Sequence, residues 1–250
     1  MSLPPELAFV FGEVKNVFHQ ARVISREMIA ESTLALTIER PAGFEFTAGE
    51  NTMISIPGPQ ADDLREFTIA SAPYEQELMI AMRVRNTNFK HAVYALAPGD
   101  ALRLRDPAGT LWEASDAPQV WLSGGIGITP FRSIARELIH KNVPLDITHI
   151  HSDRTRSTAP FLQEFESYAA KYEGFTFLTT MTRESPAEGL RGRISGEMIA
   201  ALAPRYIESN CYIVGTDSFV AGMRETLMEL GVSRAQVRTE RFDGYKTKDS

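Results

Sequence analysis

A cluster of glycines ends an apolar segment and directly precedes a proline. The segment is 120–131, VWLSGGIGITPF, with Gly124, Gly125 and Gly127 followed by Thr129 and Pro130. Glycine lets a backbone turn tightly and lie against a ligand. A hydroxyl cap and an early proline start a helix whose free N–H groups attract anions. The turn predicts a pyrophosphate site; by itself, it is also compatible with a glycine-rich connection without a ligand.

A second cluster is REFTIAS, residues 65–71. Alternation along a strand puts Arg65 and Phe67 on the same face, where a guanidinium could bind a pyrophosphate while the ring packs on a flat heterocycle. The hydroxyl of Thr68 could bond to a ring nitrogen. Taken alone, the segment also reads as a solvated arginine beside a core phenylalanine.

The sequence gives little support for a metal site or for thiol chemistry. Cys211 is the single cysteine, which excludes an internal disulfide and an iron–sulfur cluster held by this chain's own thiolates. His149 and His151 have strand-like spacing but few companions, so we read them as hydrogen-bonded histidines at a strand end. No metal site is predicted.

The elements that must position these residues change in type along the chain. Short alternating segments at 22–26, 33–38, 52–56, 67–70, 78–84 and 101–104 read as strands. One amphipathic helix interrupts them at 88–96, ending before Pro98 and Gly99. We therefore predict a six-stranded antiparallel Greek-key barrel for residues 1–116.

After Pro118 the pattern becomes strand, helix, strand, helix. The predicted strands are 120–123, 145–150, 175–181, 211–214 and 237–239, and the predicted helices are 131–140, 160–172, 198–203 and 219–230. Such alternation indicates a doubly wound parallel α/β domain over 117–250, with its ligands beyond the carboxyl ends of the strands.

Composition excludes several classes of protein. The 250 residues are 43% hydrophobic and 23% charged, as in globular proteins, and the net charge of −6 argues against a nucleic-acid partner. No apolar segment is long enough to span a membrane, and the first residues have no signal-peptide pattern. We expect a cytoplasmic protein; the sequence does not indicate its oligomeric state.

The ordered set of motifs resembles the ferredoxin–NADP reductase superfamily. Arg65-x-Phe67-Thr68 is similar to the superfamily's Arg-x-Tyr-Ser/Thr flavin motif. The further matches, in order, are APGD at 97–100, DPAGT at 106–110, GGIGITP at 124–130, VGT at 214–216 and ERFDGY at 240–245. The resemblance spans about residues 20 to 245 and implies a flavin barrel followed by a nicotinamide-nucleotide domain.

The resemblance implies roles for the barrel residues. Arg65 would bind the FAD pyrophosphate, Phe67 would cover the isoalloxazine in place of the usual tyrosine, and Thr68 would approach N5. The loop and helix start that would meet the FAD phosphates through backbone N–H groups comprise Asn88, Phe89, Lys90 and His91.

It also implies roles in the second domain. The glycine turn and Thr129 would bind the dinucleotide pyrophosphate, and Gly215 and Thr216 would border the nicotinamide. Val214-Gly-Thr replaces a common Cys-Gly-Pro, so the family's thiol is missing. With Thr68, the implied catalytic residues are Glu240, near the nicotinamide, and Phe242, which shields the flavin. The tail that contains Tyr245 would either cover the flavin's adenine end or be disordered.

Nucleotide preference depends on the segment 151–156, HSDRTR. An acid there favours the ribose hydroxyls of NAD, whereas arginine favours a 2′-phosphate. Ser152, Arg154 and Arg156 could clamp the phosphate, while Asp153 could point away or bind the ribose. We favour NADPH and leave NADH open.

The implied activity is transfer of hydride from NAD(P)H to FAD and of electrons to a separate acceptor, a ferredoxin, a flavodoxin or another redox protein. The alternatives are the reductase component of a two-component oxygenase, a flavin reductase, or a non-catalytic subunit with this fold. Arginines on alternating strands would form either a basic patch for an acidic partner or a solvated face. They are Arg83, Arg85, Arg103 and Arg105.

Overall fold

The computed structural model describes residues 18–57, 64–84, 86–109, 111–184 and 190–242. The strands of the first half are β1 (Phe18–Ala30), β2 (Thr33–Glu39), β3 (Asn51–Ser55), β4 (Arg65–Thr68), β5 (Glu77–Arg83) and β6 (Ala101–Arg105). They form one sheet in the order β4-β3-β6-β1-β2-β5, with antiparallel pairing throughout. A bridge between Ile69 and Ile80 brings β4 beside β5 and closes the barrel. The predicted six-stranded architecture is confirmed.

Alternating apolar residues of the strands fill the barrel, among them Val23, Leu36 and Ile80. Helix α1 (Asn88–Ala95) covers one end and contributes Phe89 and Val93 to this core. The hydroxyl of Thr87 caps the helix by accepting a bond from the Lys90 N–H. The flavin-like strand β4 and the start of α1 are thereby held at the same end of the barrel.

The second half is a parallel sheet covered by helices. Its strands are β7 (Gln119–Gly124), β8 (Ile147–Asp153), β9 (Phe175–Met181), β10 (Leu190–Arg191), β11 (Asn210–Gly215) and β12 (Val237–Arg241); its helices are α2 (Thr129–His140), α3 (Leu162–Lys171), α4 (Gly196–Leu202) and α5 (Asp217–Glu229). The order is β10-β9-β8-β7-β11-β12. The doubly wound sheet is confirmed; the two-residue β10 is an addition, because so short a strand has no periodicity to detect.

Strand order reverses at β7, which lies between β8 and β11. Parallel sheets bind ligands in the crevice at such a reversal, beyond the carboxyl ends of the strands. Gly124, Asp153 and Gly215 end the three strands at this edge. The glycine turn therefore opens into the crevice.

The start of α2 differs from our expectation. A 3₁₀ turn, Gly125–Ile128, precedes the helix, and no side chain caps α2. Because the turn is already helical, the hydroxyl of Thr129 reaches back and donates to the carbonyl of Ile126 at 3.0 Å. Gly125 has φ +56°, a conformation that glycine adopts without strain.

Helix α2 also joins the two halves. Arg132 donates to the carbonyl of Ala70 and Ser133 to that of Ser71, each at 2.7 Å. The same Arg132 pairs with Glu164 of α3 at 2.7 Å. These bonds attach the helix after the glycine turn to the segment that directly follows β4. No helix in the described ranges is both long and apolar enough to cross a membrane.

Candidate active site

The two halves meet at a bond between side chains of β4 and β12. The hydroxyl of Thr68 donates to Oε1 of Glu240 at 3.2 Å. The N–H of Phe242 donates to the carbonyl of Gly215 at 2.9 Å, which holds the end of β12 against β11. The structure thus brings Thr68, Glu240 and Gly215 together from three distant segments.

Burial makes Glu240 a titratable group near neutral pH. Desolvation raises the pKa of its carboxyl to about 7, the negative charge of Glu66 adds to the rise, and the bond from Thr68 opposes it. A carboxyl with this pKa can hold or release a proton at physiological pH, which is the property of a general acid or base.

Aromatic and cationic groups converge beside β4. The half-buried ring of Phe67 stacks on Phe89 with centroids 5.9 Å apart, and the Lys90 ammonium lies 4.3 Å from the Phe67 centroid. The Arg65 guanidinium lies 5.6 Å from the centroid of Phe89. Two cations and a partly open ring on one rim can bind an anion joined to a flat heterocycle.

Two of the backbone N–H groups at the start of α1 already have partners. The N–H groups of Lys90 and His91 already bond to the hydroxyl and the carbonyl of Thr87. Asn88 and His91 are exposed, whereas the Phe89 ring is in the core. A phosphate here would therefore meet the Lys90 ammonium rather than its backbone.

Packing also explains why Gly124, Gly127 and Gly215 have no side chain. A Cβ on Gly127 would stand 2.3 Å from the carbonyl oxygen of Val214, and one on Gly215 would stand 2.7 Å from the Phe219 ring. A Cβ on Gly124 would also meet this ring, at 3.0 Å. Close packing of β7, β11 and α5 therefore requires residues without a side chain, and the packing leaves the turn backbone open to the crevice.

Thr216 has a structural role at the same edge. Its hydroxyl caps α5 by accepting a bond from the N–H of Phe219 at 3.4 Å. Cys211 is buried, and burial raises the pKa of its thiol to about 12. This thiol therefore does not replace the family's cysteine near Thr216.

The residues at the end of β8 that were predicted to bind a 2′-phosphate differ in their exposure to solvent. Ser152 and Asp153 are both buried, whereas Arg154 is exposed. Arg156 is exposed and pairs with Glu166 at 2.7 Å. The N–H of Arg183 donates to the carbonyl of Arg154, adding a third exposed arginine to this edge. Sequence reasoning missed Arg183, although its place two residues after β9 was a usable signal.

Arg83 belongs neither to a basic patch nor to a solvated face, the two alternatives predicted for the four barrel arginines. It pairs with Asp153 at the junction of the two halves, because a buried carboxylate there requires a cation. The guanidiniums of Arg103 and Arg105 lie 4.8 Å and 5.2 Å from the centroid of Phe18. Arg85 and Tyr245 lie outside the described residues.

The two histidines are buried in the sheet. The hydroxyl of Ser123 lies 2.7 Å from both Nε2 of His149 and Nδ1 of His151. Burial lowers both pKa values, that of His151 to about 4. Among the described residues, no group of three or more histidine, cysteine, aspartate or glutamate side chains could hold a metal ion.

Comparison with known proteins finds similar oxidoreductases. Residues 121–225 match the oxidoreductase NAD-binding domain. The chain is 28% identical to ferredoxin–NADP reductase B of Sorangium cellulosum over 90% of its own length and 97% of that protein. It is 27% identical to the glycine betaine monooxygenase reductase subunit of Pseudomonas aeruginosa, covering 84% of its own length but only 60% of that protein.

A solved structure is similar across both halves. The ferredoxin–NADP⁺ reductase from Neisseria gonorrhoeae, with bound FAD and NADP, superposes with a TM-score of 0.80 at 19% identity, covering 90% of this chain and 98% of that one. The barrel, the parallel sheet and the sequence matches agree with the resemblance of the motifs. Residues 121–225 thus match an oxidoreductase NAD-binding domain, and the whole chain is similar in sequence and fold to ferredoxin–NADP reductase-like flavoproteins.

Proposed function

We propose that this protein is an FAD-dependent reductase that takes a hydride from NADPH and passes electrons to a separate redox protein. The observation that carries the proposal is the Thr68–Glu240 bond. This bond joins Thr68, on the strand that carries the flavin-type motif, to Glu240, at the edge of the nucleotide-type sheet. The pKa of the Glu240 carboxyl is about 7.

The donor set beside β4 fits FAD. Arg65 and Lys90 would hold the pyrophosphate, and the half-buried ring of Phe67 would pack on the isoalloxazine. Phenylalanine supplies stacking area but no hydroxyl, so this chain has one hydrogen bond fewer to the cofactor than a tyrosine would offer. When bound, FAD supplies a ring that accepts two electrons as hydride and can release them singly or in pairs.

The nucleotide would enter the crevice at the glycine turn. Open backbone at Gly125 and the start of α2 suit its pyrophosphate. The arginines at the ends of β8 and β9 suit a 2′-phosphate, which is our reason for proposing NADPH before NADH. Arg154 and Arg183 are exposed, and the exposed Arg156–Glu166 pair is weak enough to open for a phosphate.

The residues near the reacting rings would orient one another and would hold or release a proton. Thr68 orients the Glu240 carboxyl, and Glu240 holds or releases a proton as the charge beside it changes. Phe242 follows β12 and lies half-buried against the nucleotide-domain core, where it would cover the flavin until the nicotinamide arrives.

We propose a ferredoxin or flavodoxin as the acceptor. The alternative is an oxygenase component, favoured by the similarity to the glycine betaine monooxygenase reductase subunit. A single cysteine means that any iron–sulfur centre would belong to other polypeptide sequence. We retain 1–116 and 117–250 as the proposed domain boundaries and the cytoplasm as the proposed location.

Anaerobic reduction tests the proposal. The protein is reconstituted with FAD and mixed with NADPH or NADH, and the flavin absorbance is followed. We expect a yellow protein that either nucleotide bleaches, NADPH at the lower concentration. A chain that does not retain FAD, or retains it and is bleached by neither, refutes the proposed function.

Variants identify the flavin residues. Arg65→Gln and Lys90→Gln should each weaken FAD binding about tenfold, since each removes one charge-assisted contact to phosphate. Arg205→Gln removes an exposed arginine at the other end of the sheet and should leave FAD binding unchanged. Equal effects of all three would mean that net charge, and not the site beside β4, determines retention. Reoxidation by added ferredoxin, flavodoxin or free flavin then ranks the acceptors.

A further inference from the structure

An ion pair joins the barrel to the end of β8, directly beside the glycine turn. The Arg83 guanidinium donates through Nη2 to Oδ2 of Asp153 at 2.5 Å. Its Nη1 donates to the hydroxyl of Thr33 and to the carbonyl of Thr158. The Asp153 side chain is 3% exposed and that of Arg83 is 19% exposed, so both are largely removed from solvent.

Donors of the protein itself engage both oxygens of the Asp153 carboxylate. Oδ1 accepts bonds from the N–H of Arg154 at 2.7 Å and from the hydroxyl of Thr158 at 2.8 Å, while Oδ2 accepts from Arg83. Nε2 of His151 lies 3.9 Å from Oδ2. All these donors belong to the protein itself, and the side chain is buried among them.

Its position is nevertheless that of an acid able to select NADH. Asp153 ends the strand next to the glycine-turn strand, where a carboxylate directed outward would bond to the ribose hydroxyls and repel a 2′-phosphate. His151 does not neutralise it, because burial keeps the pKa of that imidazole at about 4. Arg83 is therefore the cation that compensates the buried charge.

We propose that Arg83 is a specificity-determining residue, which favours NADPH by holding Asp153 inside the domain junction and away from the ribose. This inference rests on the proposed function and deepens it. Without Arg83, Asp153 would be an uncompensated buried carboxylate. The side-chain rotamer that points outward would then be favoured, because there the carboxylate is solvated and can accept hydrogen bonds from the ribose hydroxyls.

Arg83 also stands near the expected pyrophosphate. Its Nη2 lies 3.5 Å from the place where a Cβ on Gly125 would be. A direct contact with the pyrophosphate would affect NADPH and NADH equally, because both carry that group. A change in the ratio of the two affinities therefore isolates the effect transmitted through Asp153.

The test is a double-mutant cycle on the FAD-loaded protein. Arg83→Gln, Asp153→Asn and the combined variant are compared with wild type for kcat/KM with NADPH and NADH. Calorimetric titration with ADP-ribose and 2′-phospho-ADP-ribose adds a readout independent of flavin reduction. Arg205→Gln, which breaks an arginine–aspartate pair beside the other end of β8, is the matched control.

We expect Arg83→Gln to lower the NADPH-to-NADH ratio about tenfold, the effect of about one charge-assisted hydrogen bond gained by the ribose. Adding Asp153→Asn should return the ratio to that of wild type, since no carboxylate remains to rotate outward. Asp153→Asn alone should leave the NADH efficiency within about twofold, because the wild-type carboxylate does not reach the ribose.

Three results overturn the inference. One is an unchanged ratio in Arg83→Gln; the second is a shifted ratio that persists in the combined variant. The third is a tenfold loss of NADH efficiency in Asp153→Asn alone, which remains measurable if Arg83→Gln does not fold. A wild-type protein that binds neither nucleotide overturns the proposed function as well, so the two failures are distinguishable.

Discussion

Replacing Glu240 with glutamine should change how stability depends on pH. The folded protein holds this carboxyl at a pKa of about 7, against an ordinary value of 4.5. The folded state therefore binds the proton more tightly than the unfolded state, and stability falls as pH rises from about 4.5 through about 7. Glutamine does not titrate in this range, so the stability of the Glu240→Gln variant should not fall in this way as pH rises.

The size of the effect follows from the difference in pKa. About 2.5 pH units correspond to about 3 kcal/mol. About 2 kcal/mol remains between pH 5 and pH 8 once the solvent that reaches the half-buried side chain is allowed for. For a chain of this length, that free energy is a difference of about 6 °C in Tm.

The assay is thermal unfolding of FAD-saturated wild type and Glu240→Gln from pH 5 to pH 8. The difference in Tm between variant and wild type should move by about 6 °C in favour of the variant as pH rises. Thr68→Val should raise the pKa of Glu240 further, because the bond from Thr68 stabilises the charged form. Glu229→Gln, at the exposed end of α5, controls for the loss of one negative charge. Parallel curves for wild type and Glu240→Gln would refute the reasoning.

Other substitutions test the packing around the site. Gly127→Ala should destabilise by about 2 kcal/mol, because its Cβ would stand 2.3 Å from the Val214 carbonyl oxygen, whereas Gly222→Ala has open space and should stabilise by about 0.5 kcal/mol; urea unfolding measures both. Thr216→Val should cost about 1 kcal/mol by removing the cap of α5, and unchanged helix stability by hydrogen exchange would contradict this role. Arg132→Met should cost about 2 kcal/mol, because the buried carbonyl of Ala70 loses this donor and Glu164 keeps only Arg136 and Tyr168 as partners, and a change in Tm below 2 °C would refute it.

Much of the fold was readable from the sequence because its elements have regular local patterns. Alternation within the barrel strands and apolar periodicity in the helices located nearly every element to within a few residues. The sequence also predicted the glycine turn, since three glycines between a strand and a proline are typical of a backbone that turns tightly. The missed elements were the two-residue β10 and two 3₁₀ turns, Gly125–Ile128 before α2 and Arg234–Gln236 before β12, all too short to leave a pattern.

The roles of Arg83 and Asp153 required the tertiary structure. Each lies in a strand whose own pattern allows an exposed side chain, and 70 residues separate them in the chain. Only docking of the barrel on the parallel sheet buries both and makes them partners. The raised pKa of Glu240 has the same origin, because the burial that raises it arises across that junction, as does the opposing bond from Thr68. Local pattern decides which elements form, since their hydrogen bonds and apolar faces depend on nearby residues. Charge and proton affinity at the site depend on groups that only the folded chain brings together.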